Sequence, residues 1–166
     1  MSPFYEMVRK HFDFLSSEYN FYLHKFPDFS DGFSTINYES RDLLVRVGKD
    51  RSRVLVLLKP VMEPKIAQLS LLNVLMALSV ISPKDFPGDT PPQFHDQVLA
   101  QYARWLKEDC DTLLKGDLSQ WGTILAWLLE DLKRDYSSRT GKALQREAYQ
   151  ELEDYINELK ARKWYR

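Results

Sequence analysis

At 166 residues the chain has the length of one domain, enough to bury most of its unfolded surface without disulfides or metal. Hydrophobic residues make up 44% and charged residues 28%, a balance that excludes a disordered or fibrous chain. Basic and acidic residues number 23 and 24, so the net charge of −1 lacks the basic excess of a typical nucleic-acid binder.

Ser2-Pro3 has the chemistry of a helix start, with Ser as N-cap and Pro in the first helical position. Phe4, Met7, Val8, His11, Phe12 and Leu15 recur at helical spacing, and Ser16-Ser17 is expected to close this helix. Tyr19 to Phe26 predicts a short edge strand, and Pro27 to Gly32 reads as a loop. The three Phe of the stretch Phe26 to Phe33 either seal the open end of a sheet or offer an apolar anchor to a partner; sealing is the more common role.

Three β segments follow. Phe33 to Glu39 alternates, with Ile36 and Tyr38 on one face; Leu43, Val45 and Val47 alternate with Leu44, Arg46 and Gly48. Gly48 to Ser52 predicts a polar hairpin loop. Val54 to Leu58 is apolar at every position, so this strand should be covered on both faces and sheltered at its edge.

Beyond Pro60 and Pro64 the pattern turns helical. Ile66 to Ile81 predicts a mostly buried helix, and residues 82–92, with four of the eight prolines, form an internal loop. Thr90 to Gln93 and Asp117 to Gln120 resemble capping boxes. Val98, Tyr102, Trp105, Leu106 and Leu113 trace a long helix ending near Gly116. A second stripe runs from Trp121 to Tyr136, and the short break predicts an antiparallel helical pair. A final helix runs from about Ala143 through Leu152, Tyr155, Ile156 and Leu159. The expected fold is α+β: an antiparallel meander of three or four strands near the N-terminus, packed with amphipathic helices, and an all-helical second half. One domain over 1–166 is expected, its sheet part within about 1–60 and its helical part within about 66–166.

Residues able to do chemistry are scattered. Cys110 stands alone between Asp109 and Asp111, which would raise its pKa and dull its thiol. His11, His24 and His95 have no second ligand at helical spacing, and neighbours such as His95 and Asp96 do not face each other on a helix. The carboxylate pairs Glu151/Asp154 and Asp131/Asp135 read as solvated helix surface. No glycine-rich phosphate loop and no nucleophile elbow is present, so no cofactor and no metal is expected. The candidate partner-binding residues are Lys49, Arg51 and Arg53, which alternate across the hairpin tip. The ending Lys160-Ala-Arg-Lys-Trp-Tyr-Arg166 is either a basic arm or the last helical turn, with Trp164 packed on the core.

One stretch carries a resemblance. Ile36-x-Tyr38-x-Ser40, Val45-x-Val47, Asp50-Arg51 and Val54-x-Val56-x-Leu58-x-Pro60 look like the meander of small uncharacterised bacterial α+β proteins, including some immunity proteins of polymorphic toxin systems. The resemblance covers residues 33–60, assigns no functional residue, and implies a non-catalytic binding role. The expected function is therefore binding of another protein by a bacterial, cytoplasmic chain with no membrane span, immunity-type neutralisation of a toxin being one specific form. Two readings stay open beside it: an enzyme whose site is assembled from separated polar residues, and a weak nucleic-acid binder using the 49–53 hairpin and the basic C-terminus. Oligomeric state is not legible.

Overall fold

The computed structural model describes residues 2–25, 33–64, 68–138 and 143–162. The aromatic loop 26–32 and the terminal residues 163–166, Trp164 included, lie outside them, and so do the side chains of 25, 33, 135–138 and 143–148. The fold is α+β.

Helix α1 (Pro3–Phe12) starts as its sequence dictates, with the Ser2 hydroxyl oxygen accepting the Tyr5 amide at 3.3 Å. It buries Phe4, Val8 and Phe12. The apolar stripe continues past Ser16-Ser17: after a break at Asp13, helix α2 (Phe14–Tyr19) runs on until Asn20 turns left-handed at φ 59°. Ser17 does not end the helix, because its hydroxyl donates back to the Asp13 carbonyl at 3.2 Å.

The sheet has five antiparallel strands in sequence order, one more than the upper expectation. They are β1 (Tyr22–Lys25), β2 (Phe33–Glu39), β3 (Leu43–Asp50), β4 (Arg53–Pro60) and β5 (Leu69–Ser70). In register, Ile36, Val47 and Val56 lie side by side, as do Tyr38, Val45 and Leu58. All six are buried and define the core face. The hairpin between β3 and β4 is tighter than its polar composition suggests: pairing extends to Asp50 and Arg53, leaving Arg51-Ser52 as the turn. Gly48 and Lys49 thus belong to the strand, where the backbone ladder outweighs side-chain polarity.

Strand β4 is not covered equally on both faces. Val54, Val56 and Leu58 are buried, whereas Leu55 and Leu57 are half-buried. Shelter comes at its edge: Leu57 and Leu58 pair with Ser70 and Leu69 of β5, and helix α3 (Leu71–Ala77) packs beside it. The helix expected over Ile66 to Ile81 is correspondingly shorter. Ser70 is held extended by the ladder and caps α3, its oxygen accepting the Asn73 amide at 3.2 Å.

Residues 82–92 contain a short 3-10 turn at Pro83–Asp85 capped by Ser82. Thr90 does not cap the next helix. Pro91 is extended before Pro92, and the Thr90 hydroxyl points to the carbonyls of Pro87 and Gly88. Helix α4 (His95–Asp109) follows a second 3-10 turn, and α5 (Asp111–Leu114) continues it past a break at Cys110. Gly116 ends the run at φ 85°. Asp117 forms a turn with the Ser119 amide at 3.0 Å instead of a full capping box.

Helices α6 (Trp121–Ser138) and α7 (Ala143–Ala161) complete the chain. The main helical partner of α6 is α7, with α3 next, while α4 packs on α1 and α3; the expected α4–α6 pair is not the principal contact. The insertion of α5 and the turn after it separates those two helices. One continuous core runs from Phe4 through the core face of the sheet to Leu159, with Trp121 fully enclosed.

Candidate functional site

The second face of the sheet is built by the same period-2 alternation that builds the core. Across the strands it presents His24, Asn37, Arg46 and Leu57 in one row and Tyr22, Glu39, Leu44 and Lys59 in the next; Thr35, Gly48 and Leu55 form a third. Leu44, Leu55 and Leu57 are half-buried, and none belongs to the hydrophobic core or packs against it. Between them Arg46 is held flat. Its Nε donates to Asn37 Oδ1 at 3.1 Å and its Nη1 to Gln68 Oε1 at 3.4 Å. Asn37 is itself buried beneath this arrangement. The result is an apolar strip around a fixed guanidinium, a combination suited to recognition of a protein surface.

The hairpin cations do not converge on one patch. Lys49 lies opposite the buried Val54, so it points to the core face, and its ammonium sits 5.5 Å from the centre of the Phe4 ring. Arg53 leaves the strand on the opposite face and pairs with Asp89 at 2.5 Å. Arg51 occupies the turn at φ 51°, exposed, at the end of the second face. Arg51 and Arg53 thus rim the apolar strip, and Lys49 buttresses the domain from the other side.

The histidines and the cysteine have structural surroundings. His95 is buried, donates from Nε2 to the Thr90 carbonyl at 2.9 Å and meets Phe4 edge to face. His11 is brought to Asp96 across two helices, Nε2 to Oδ1 at 2.8 Å, and Lys10 reaches the other oxygen at 2.9 Å. These bonds hold the Asp96 carboxyl below the usual range, Lys10 contributing most. As expected of neighbours on a helix, His95 and Asp96 do not pair; helix packing supplies His11 instead. Burial, reinforced by Asp109, pushes the Cys110 thiol up to about 12, so it is an inert packing residue.

Sequence reading missed the cluster around Glu63. Its carboxylate is 3% exposed and accepts the Tyr155 hydroxyl at 2.5 Å and Arg162 Nη1 at 3.1 Å. A lone Glu after a strand carries no sequence signal that residues ninety positions away will enclose it. Arg162, part of the basic ending, is here an anchor for α7. No group of three His, Cys, Asp or Glu among the described residues is placed to hold a metal ion. No helix among them is long and apolar enough to cross a membrane.

Against known proteins, the chain matches no family model, and no curated protein and no solved structure is significantly similar to it.

Proposed function

We propose that this chain is a non-enzymatic bacterial protein that acts in the cytoplasm by binding another protein through the second face of its sheet. The observation that carries the reading is the apolar strip Leu44, Leu55 and Leu57, half-buried and outside the core, set around a guanidinium already fixed by Asn37 and Gln68. A pre-ordered Arg flanked by aliphatic surface loses little freedom on binding, which favours affinity per contact. Arg51 and Arg53 extend the same surface at its rim. Neutralisation of a toxin is the specific form that the look of residues 33–60 suggests.

The test is affinity capture from the source cell with the wild-type chain and with a Leu44→Lys, Leu57→Lys double variant. The captured protein is then purified and titrated against each. A stoichiometric complex, weakened at least about tenfold in the variant, supports the reading. Equal binding by the folded variant would remove the sheet face from it. For the specific form, the captured protein should be toxic when expressed alone and silent when co-expressed.

A further inference from the structure

A cleft of about 460 Å³ opens between α2, the start of β1, the β2–β3 turn and the end of α5. Its size lies within the range of small-molecule sites. The charged groups and Tyr19 that line it differ in whether they are already engaged. Glu18 pairs with Lys107 at 2.7 Å, and Lys115 pairs with Asp111 at 2.6 Å. Tyr19 donates to Asp111 at 2.7 Å, and its phenol is pushed up to about 12 by burial and then by that bond. Arg41 and Asp42 enter no ion pair among the described residues, though both line the cleft.

Asp42 is held in place. Its amide donates to Ser40 Oγ at 3.3 Å, its carbonyl accepts the Val61 amide at 2.9 Å, and its carboxylate packs against Gly116. A Cβ on Gly116 would come within 2.6 Å of that carboxylate and push it aside, and the φ of 85° there itself favours glycine. The two unspent charges, one cationic and one anionic, sit on consecutive residues of one turn at the cleft. A ligand satisfying both should itself carry one charge of each sign. Beside them Tyr22 exposes most of its ring, and the buried Leu114 lines the cleft as well.

We propose that this cleft binds a free α-amino acid with an apolar side chain: Asp42 accepts the ammonium group, Arg41 pairs with the carboxylate, and the exposed Tyr22 ring meets the side chain. The proposal is independent of the sheet face and of whatever protein binds there.

Isothermal titration calorimetry of the full chain at low ionic strength tests it. The probes are L-leucine and L-phenylalanine, with phenethylamine lacking the carboxylate and N-acetyl-L-phenylalanine lacking the ammonium. Saturable binding of leucine or phenylalanine with a Kd below about 1 mM is expected. Both phenylalanine derivatives should bind at least about tenfold more weakly than phenylalanine, the usual consequence of losing one charge-assisted bond. Asp42→Asn and Arg41→Gln should each weaken binding about tenfold, and Lys84→Gln, exposed in the 82–92 loop, should leave it unchanged. Arg41 is exposed, so its variant will fold and remains decisive should Asp42→Asn not. The proposal is overturned by no saturable heat with either amino acid, by phenethylamine binding as tightly as phenylalanine, or by undiminished affinity in Arg41→Gln.

Discussion

Single side chains in this core differ in whether burial has been compensated. Tyr38 is fully enclosed, and its hydroxyl faces the Asp13 carboxylate without reaching normal hydrogen-bond geometry. A buried hydroxyl so weakly compensated gains little, so Tyr38→Phe should change stability by no more than about 1 kcal/mol in urea unfolding. A clear loss would mean that the hydroxyl is bonded in solution. Cys110 gives the opposite kind of test, through pH. Its thiol ionises only near 12 when folded, against the ordinary thiol value when unfolded. The unfolded chain therefore gains by losing a proton first, and this contribution to stability falls as pH rises from about 9 toward the folded value. Below that window the effect vanishes. Iodoacetamide at pH 8 should leave the native thiol unmodified and alkylate it only on unfolding; rapid native modification would contradict the burial.

At the level of elements, strands β2 and β3 were legible because their residues alternate, and the first helix because Ser2-Pro3 caps a clean stripe. What misled was continuity. The uninterrupted run Val54 to Leu58 looks covered on both faces, yet its odd positions Leu55 and Leu57 lie outside the core. Likewise Leu69 and Ser70 sit inside an apolar run that reads as helix, and only the partner β4 makes them a strand. Two paired residues leave no period to detect. The candidate surface was half visible for the same reason: Arg51 and Arg53 stood out as cations and Leu44 fell on the face of Arg46, whereas Leu55 and Leu57 resembled core. The correction has a direct check. Val56→Asp should cost several kcal/mol, because it buries an unpaired charge, while Leu57→Gln should cost about 1 kcal/mol or less. Comparable losses at both positions, measured by denaturant midpoint, would restore a strand buried on both sides.

Across the whole molecule, α7 packs on α6, adds Leu152, Ile156 and Leu159 to the core, and is tied to the segment after β4 by the enclosed Glu63. Removing that carboxylate strands the Tyr155 hydroxyl, so Glu63→Ala should destabilise by about 1–3 kcal/mol. Arg53→Gln should change little, because its ion pair with Asp89 is largely solvated. This long-range tether was invisible in the sequence, since nothing local marks Glu63 as buried. In the proposed reading the helices and the core face account for stability, and the second face of the sheet does the binding. Hydrogen–deuterium exchange of the chain with and without its captured partner tests that division most directly. The account predicts added protection in 43–60, over β3, its hairpin and β4, with the α6–α7 pair unchanged. Protection confined to α6 and α7, or to the cleft residues 18–22 and 114–116, would contradict it.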